Sequence, residues 1–286
     1  MHLPVFDIAG LGVSKNDILV RAFAPYIKEH QKLMIPHGHS FYHIVYFTQG
    51  GGSHTIDFES FDVKANQIYF MTPGQVHHWD FKGEVDGYVM NFSESFFQSF
   101  LLRPDYLDDF GFFRGATNES VVELPTGIQP KIKGIFEEMI RLRNSINPKN
   151  IDHLRILALE LFMNVEKLND KSEKEIAPHN QFVLRNFKLL IEKNYKQFKL
   201  PKEYASLLYI TPNYLNALCN DVLGISAGEM IRNRVILEAK RLLVNLDLPV
   251  ANIAYELNFA DNSYFSKFFK KHVGVTPEEF RKGTTA

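Results

Sequence analysis

The spacing of hydrophobic residues predicts short strands over residues 32–92. The segment HIVYFTQGGGSHTIDF places two β-rich runs around three consecutive glycines, which is typical of a hairpin. QIYFMTPGQVHHWDF repeats this arrangement around Pro73 and Gly74, and DGYVMNF follows as another short run. Many short strands separated by turns in this way predict a small barrel or sandwich.

Beyond residue 129 the apolar residues recur at helical spacing. Two helices are predicted, over residues 129–146 and 152–168, and each carries an apolar stripe. The polar segment NDKSEKEIAPHN, which ends at Asn180, has no apolar period and indicates an interdomain linker. The sequence therefore predicts two domains, residues 1–170 and 181–286, joined by a linker over 171–180.

One apolar arrangement occurs twice in the second domain. NYLNALCNDVLGISAGEM begins at Asn213, and SYFSKFFKKHVGVTPEEF begins fifty residues later at Ser263. Aligning the two places Tyr214 opposite Tyr264. In each copy the apolar residues fall at positions i, i+1, i+4 and i+5, which buries one side of a helix and leaves the polar side outward.

Each copy has helix start and stop signals. Thr211 and Asp261 are typical N-cap residues, and Gly224 and Gly274 fit helix ends. A shorter helix precedes each copy, in KEYASLLY and VANIAYELN, and a small alanine in it lets the two helices lie close together. This pattern predicts two helix-turn-helix modules, at residues 200–224 and 250–274, linked by a helix over 231–246.

Residues 253–281, IAYELNFADNSYFSKFFKKHVGVTPEEFR, resemble the signature of the AraC family (AraC/XylS-type) of bacterial transcription regulators. The resemblance implies that the second helix of each module enters the DNA major groove. Asn258 replaces the glycine that the family has in this turn, and asparagine is the next most tolerant residue for a left-handed backbone. In the first module Cys219, Asn220 and Asp221 stand where the family has an aromatic residue and basic residues, which predicts weaker phosphate contacts there.

The two polar helix faces differ in chemistry, so we expect them to read different half-sites. Asparagine amides can bond adenine bidentately, and an alanine methyl can contact the thymine methyl. Serine and lysine side chains favour phosphate or guanine. The candidate DNA-binding residues are Thr211, Asn213, Asn216, Ala217, Asn220, Asn262, Ser263, Ser266, Lys267, Lys270 and Lys271.

Histidines are concentrated in the predicted strands of the first domain. Strand alternation places His37, His39 and His43 on one face. The HxH and PGxxH spacings resemble the two motifs of the cupin fold, with His43 at the position of the cupin glutamate, and AraC-family ligand-binding domains are similar to cupins. The resemblance implies a barrel interior that binds an effector. The candidate effector-binding residues are His37, His39, Phe41, His43, His77 and Trp79.

Three interpretations of these histidines are open. They line an effector pocket, they are purely structural, or His37, His39 and His77 bind a divalent metal, since such spacing binds metals in β-barrels. We predict the effector pocket, without a metal or another cofactor.

Composition excludes several protein classes. A chain of 286 residues with 45% hydrophobic content can build two cores, and the single cysteine, Cys219, rules out an intrachain disulfide. The sequence shows no signal-peptide pattern and no apolar run of about 18 residues, so neither secretion nor a membrane span is expected. Residues 1–180 carry 17 Lys and Arg against 23 Asp and Glu, whereas residues 181–286 carry 15 against 10. A basic C-terminal part is compatible with a polyanionic partner.

These patterns predict a cytoplasmic α+β transcription regulator with an N-terminal cupin-like β-barrel, including two or more helices, and a C-terminal all-α domain with two helix-turn-helix modules. The expected partners are double-stranded DNA, a small-molecule effector and a second copy of the chain. The helices over 129–146 and 152–168 would contact that second copy, and the alternative is that their apolar stripes serve only the core. The resemblance also allows contact with RNA polymerase. No enzymatic activity is expected. A metal-dependent cupin enzyme fused to a DNA-binding module is the alternative, and a DNA binder without a sensing site is a third possibility.

Overall fold

The computed structural model describes residues 3–11, 17–98, 100–103, 106–113, 117–143, 147–169 and 177–283. They belong to two compact units, one within Pro4–Lys171 and the other within Ser172–Ala286 together with Leu3. Most of the predicted linker over 171–180 lies outside the described residues, and a helix begins at Pro178. Among the described residues, no helix combines the length and hydropathy that crossing a bilayer requires.

The described residues of the N-terminal unit form two five-stranded sheets. Strands β1 to β10 span Val5–Phe6, Ile18–Ala22, His37–His39, Tyr42–Gln49, Gly52–Ile56, Glu59–Asp62, Gln67–Met71, Val76–Phe81, Asp86–Phe92 and Val121–Glu123. The first sheet has the order β1-β3-β8-β5-β6, and the second has the order β10-β7-β4-β9-β2. All neighbouring strands are antiparallel except β1 and β3. This is the predicted cupin-like architecture.

Alternation along the strands creates an inner and an outer core. Val45 of β4 contributes to the inner core together with Ile56 and Trp79 of the opposite sheet. The residues on either side of Val45 in β4, Ile44 and Tyr46, point to the opposite face of the sheet. They contribute to a separate core that includes helical residues. The inner core therefore lies between the two sheets, and this is where the histidine-bearing strands meet.

In the described part of the N-terminal unit, four α-helices accompany the sheets. Helices α1 to α4 span Phe23–Glu29, Ser95–Gln98, Gln129–Leu142 and Pro148–Asn169. Helices α3 and α4 pack together and cover the outer face of the second sheet. Helix α4 begins before the predicted position 152, because Pro148 suits the first turn of a helix.

The C-terminal unit is helical, with seven helices among residues 177–283. Helices α5 to α11 span Pro178–Asn194, Pro201–Leu207, Pro212–Leu223, Ala227–Val244, Val250–Glu256, Asn262–Val273 and Pro277–Gly283. One hydrophobic core includes side chains from all of them. Ala205 of α6 and Ala254 of α9 are fully buried in it, as the close helix packing predicted from the sequence requires.

The predicted caps are confirmed. The Thr211 side chain accepts a hydrogen bond from the Tyr214 amide at 3.2 Å, and Asp261 accepts one from the Tyr264 amide at 2.7 Å. Gly224 and Gly274 end α7 and α10 in the left-handed conformation. The linking helix α8 starts earlier than predicted because Ser226 caps it, accepting from the Glu229 amide at 3.1 Å.

Candidate DNA-binding surface and ligand site

The two helix-turn-helix modules share one turn geometry. Helices α6 and α7 form the first module, and α9 and α10 form the second. The amide of Ile210 donates to the Ala205 carbonyl at 3.0 Å, and the amide of Phe259 donates to the Ala254 carbonyl at 2.9 Å. Just before these amides, Tyr209 and Asn258 adopt φ of 56° and 57°. The left-handed backbone predicted at Asn258 is confirmed.

Helix α7 exposes a polar face without basic residues. Thr211, Asn213, Ala217 and Asn220 are exposed along it. Asn216 is half-buried, and its Oδ1 accepts a hydrogen bond from the Ala227 amide at the start of α8, at 3.1 Å. A bidentate contact to adenine needs both the oxygen and the nitrogen of the amide. The bond to α8 therefore competes with the base-reading role predicted for Asn216.

Helix α10 exposes a basic face at the matching positions. Asn262, Ser263 and three lysines are exposed, whereas Ser266 is half-buried like its counterpart Asn216. The lysines are Lys267, Lys270 and Lys271. Helix α7 has no lysine or arginine and carries an exposed Asp221. The candidate DNA-binding residues thus lie on one face of each helix, with charge concentrated in the second module.

The candidate ligand site lies between the two sheets and contains five buried histidines, His37, His39, His43, His54 and His77. The strand register brings them together. His37 of β3 is the direct neighbour of His77 on β8, and His54 of β5 lies opposite Trp79, two residues further along β8. His43 comes from β4 of the other sheet. One possible ligand atom from each of His37, His39 and His77 lies within 4.8 Å of the others.

Hydrogen bonds connect these rings. Nε2 of His39 and Nε2 of His77 are 3.0 Å apart, and Nδ1 of His77 is 2.9 Å from Nε2 of His54. His43 Nδ1 donates to Oδ1 of Asn91 at 2.7 Å. The other ring nitrogens of His43 and His54 are buried, as is Nε1 of Trp79, and none of these three atoms has a hydrogen-bond partner among the described residues. Buried nitrogens without partners are costly, which points to a site built for a ligand.

Burial keeps the imidazoles neutral. It lowers the pKa of His37 to about 4 and that of His43 to about 3. The pKa values of His39, His54 and His77 are lowered well below the usual value, again mainly by burial. A neutral imidazole has one N–H and one lone pair, so each ring can donate one hydrogen bond and can accept another or bind a metal ion.

The structure brings the predicted effector-binding residues together and adds two that were missed. Phe41 stacks on His39 with ring centroids 4.5 Å apart, and Trp79 lies 4.8 Å from His77. His54 and Asn91 were not predicted because neither belongs to the HxH or PGxxH spacing. Strand alternation in SHTIDF and DGYVMNF was the available signal for these two residues. It does not show which strands pair, and only that pairing brings the two side chains to the histidine cluster.

Comparison with known proteins agrees with this architecture. The sequence model of the AraC-like ligand binding domain matches residues 23–159, and that of a helix-turn-helix domain matches residues 204–283. YisR, an HTH-type transcriptional regulator of Bacillus subtilis, is 24% identical over 98% of this chain and 94% of its own. The arabinose operon regulatory protein of Salmonella typhimurium is 24% identical over 79% of this chain and 78% of its own. YijO, an HTH-type regulator of Escherichia coli, is 29% identical over 39% of each chain.

The two domain matches occupy the two compact units described above, in the order ligand-binding domain and then helix-turn-helix domain. Together with relatives that match along most of the chain, they place the protein among effector-responsive DNA-binding regulators. The chain belongs to the AraC family of transcription regulators.

Proposed function

We propose that α7 and α10 enter successive major grooves of one DNA duplex and that their exposed faces read two different half-sites. The matched turns and caps of the two modules, combined with different exposed side chains, carry this proposal. On α7, Asn213 and Asn220 read base edges. On α10, Lys267 and Lys270 contact phosphate or guanine.

The length of the connecting helix is compatible with this arrangement. Helix α8 has 18 residues, which corresponds to about 27 Å at about 1.5 Å per residue. The modules at its two ends extend the separation further. Recognition helices about 34 Å apart, one turn of B-DNA, are therefore within reach of one domain.

The interior of the N-terminal domain binds the effector, with His37, His39, Phe41, His43, His77 and Trp79 at the site. An effector changes DNA occupancy only if it binds one arrangement of the protein more tightly than another. The protein acts as a homodimer in the cytoplasm. Ile156 and Met163 of α4 support the dimer, since these large apolar side chains are 52% and 45% exposed on the predicted contact helix.

Fluorescence anisotropy on DNA tests the regulator proposal. A duplex that the full chain selects from a random pool is titrated at several salt concentrations, beside a scrambled duplex of the same length. Tight, salt-dependent binding to the selected duplex is expected. Equal affinity for both duplexes would contradict sequence-specific recognition. For variants that remove a lysine from α10, the control is Lys193→Ala, because Lys193 is an exposed lysine on another helix, α5.

A metal-dependent enzyme fused to a DNA-binding module is the second candidate, which the His37, His39 and His77 cluster favours. The relatives compared above are transcription regulators, so we propose that the chain is not an enzyme. Turnover of a small organic substrate by metal-loaded protein, abolished by His39→Ala, would support the enzyme instead.

A further inference from the structure

The loop between α5 and α6, residues 195–200, connects the two helix-turn-helix modules. Nζ of Lys196 lies 2.9 Å from Oε1 of Glu256, the last residue of α9. Nζ of Lys199 lies 5.6 Å from the centroid of the Phe259 ring, in the turn between α9 and α10. The first module therefore begins on a segment that contacts the second module at two points.

The ammonium group of Lys199 is also bonded to the end of α5. Nζ donates to the carbonyl of Tyr195 at 2.7 Å and to that of Lys196 at 2.6 Å. The last carbonyls of a helix lack partners within the helix and carry partial negative charge, so a cation is stabilised there. Burial lowers the pKa of Lys199 to about 8, against the opposing effect of the Glu203 carboxylate. The side chain is therefore mostly protonated at pH 7.

Phe259 extends this contact to the DNA-reading helix of the second module. Its buried ring lies 5.2 Å from that of Phe265 and 5.1 Å from that of Phe268, both on α10. A cation over the face of a desolvated aromatic ring is attracted by the charge distribution of that ring. Lys199 thus joins the end of α5 to the turn on which α10 packs.

The backbone of the same residue belongs to the start of the first module. The amides of Lys199 and Leu200 donate to Oε2 of Glu203 at 2.9 and 2.8 Å, which fixes the first turn of α6. Helix α6 in turn packs against α7. A displacement of Lys199 relative to Phe259 therefore displaces the first module relative to α10.

We infer that Lys199, assisted by Lys196, is a positioning residue that fixes the orientation of α7 relative to α10 and thereby determines which spacing between two half-sites the protein accepts. The inference rests on the proposed reading of two half-sites by one domain. Helix α8 connects the modules along one line, and a contact away from that line fixes their rotation. One additional base pair moves a half-site by about 3.4 Å along the duplex and about 35° around it. Modules held at a fixed orientation do not follow that shift.

The choice of a lysine at this half-buried position supports a positioning role. Its ammonium group costs desolvation that an apolar side chain would avoid, so packing alone does not account for it. Two carbonyls and one ring face the ammonium group together only in one placement of α5 relative to the turn. An apolar side chain would pack in several placements, which is how a buried polar group can specify one geometry.

The test uses the full chain and three duplexes. They carry the half-sites of the selected duplex at the selected spacing, with one base pair more and with one base pair fewer. In anisotropy titrations the unaltered protein should bind the two altered duplexes about 100-fold more weakly, because one half-site is then out of register. Lys199→Met keeps a long side chain without the ammonium group. It should lower that penalty about tenfold, the factor expected for losing a desolvated cation–π contact.

Three further variants separate positioning from loss of charge. Lys199→Arg retains a cation that can donate to the carbonyls and face the ring, so it should keep most of the spacing preference. Lys196→Ala breaks an exposed ion pair and should lower the preference less than Lys199→Met does. Lys193→Met removes an exposed lysine of α5 and should leave the preference unchanged.

A duplex that retains only one half-site, titrated at low salt, identifies a general structural effect. Lys199→Met should bind it as the unaltered protein does. An equal loss of affinity on this duplex and on all three spacings would overturn the positioning role, as would an unchanged spacing penalty in the folded variant. Equal binding of all spacings by the unaltered protein would also overturn it.

If Lys199→Met does not fold, Phe259→Leu makes the same test, because it removes the ring that faces the ammonium group and remains apolar. An unchanged spacing penalty in folded Phe259→Leu would overturn the inference. If the unaltered protein does not distinguish the selected duplex from a scrambled one, that result contradicts the proposed function instead.

Discussion

The two helix-turn-helix modules have the same backbone frame and opposite chemical character. Both begin their second helix with a side-chain cap, end it at a left-handed glycine, and bury an apolar residue at the same position, Leu215 in one and Phe265 in the other. On the exposed side, α7 has asparagines and no lysine or arginine, whereas α10 has three lysines. Packing therefore constrains only half of each helix.

This difference separates two contributions to DNA binding. Lysine–phosphate contacts supply affinity that depends on salt but not on sequence, and side-chain amides facing base edges supply discrimination with little salt dependence. On this view the second module anchors the protein and the first distinguishes sequences. Substitutions on the buried side and on the two exposed faces of α7 and α10 test this division.

The largest expected effect comes from the buried side of α7 and α10, where the two modules have the same packing. Leu215→Ala and Phe265→Ala each remove a fully buried side chain from one continuous core. Each should lower the free energy of unfolding of the helical domain by about 2–5 kcal/mol, through lost burial and the cavity left behind. Urea denaturation followed by far-UV circular dichroism measures this loss.

Internal controls are available for this experiment. Trp79 is the only tryptophan and lies in the other unit, so the transition seen by its fluorescence should not move. Tyr255→Ala removes a side chain that is 64% exposed and should cost little. If one of the two core variants were as stable as the unaltered protein, the two modules would not depend on the same packing of the second helix.

The next effect concerns base reading by the first module. Asn213→Ala should weaken binding to the selected duplex by about 1–3 kcal/mol, the discrimination expected of a bidentate base contact. Binding to a scrambled duplex should hardly change, because the contact proposed for Asn213 reads sequence. Anisotropy titrations on both duplexes provide the measurement, with Asn216→Ala as a comparison. That variant should instead destabilise the start of α8, since Asn216 bonds the Ala227 amide there.

The helical domain was largely predictable because its signals are local. Caps, glycine stops and apolar spacing all act within a few residues of the chain, and Thr211, Asp261, Gly224 and Gly274 behave as predicted. The exception is Asn216. Its bond joins α7 to α8, and nothing in the local spacing distinguishes it from an exposed asparagine.

The candidate ligand site was only partly predictable because it depends on strand register. The HxH and PGxxH spacings indicated His37, His39 and His77, but His54 reaches the cluster only because β5 pairs with β8. Asn91 reaches His43 because β9 pairs with β4. These pairings join residues far apart in the sequence, and a single residue of slippage would turn each side chain to the opposite face.

A smaller effect distinguishes the second module from the first. If Lys267 and Lys270 contact phosphates as proposed, Lys267→Ala combined with Lys270→Ala should reduce the slope of log affinity against log salt by about 1.8, since each contact contributes about 0.9. Asn213→Ala combined with Asn220→Ala should leave that slope unchanged while lowering affinity. Titrations at four or more salt concentrations measure the slopes, and Lys193→Ala serves as the control for lost charge. Equal slopes for the two double variants would remove the distinction between anchoring and discriminating modules.

The smallest effect concerns the turns of the two modules. Each turn has a residue in the left-handed backbone conformation, and that residue differs between the modules. Tyr209 and Asn258 both have positive φ, 56° and 57°, and tyrosine is poorly suited to that conformation. Tyr209 is 97% exposed, so replacing it loses almost no burial. Tyr209→Asn should therefore raise the free energy of unfolding by about 1 kcal/mol, and Asn258→Tyr should lower it by a similar amount. Urea denaturation measures both, and a loss of stability in Tyr209→Asn would contradict the backbone argument. If the variant gains stability but binds DNA more weakly at every sequence, the result would assign Tyr209 a contact with the DNA backbone beside the groove proposed for α7.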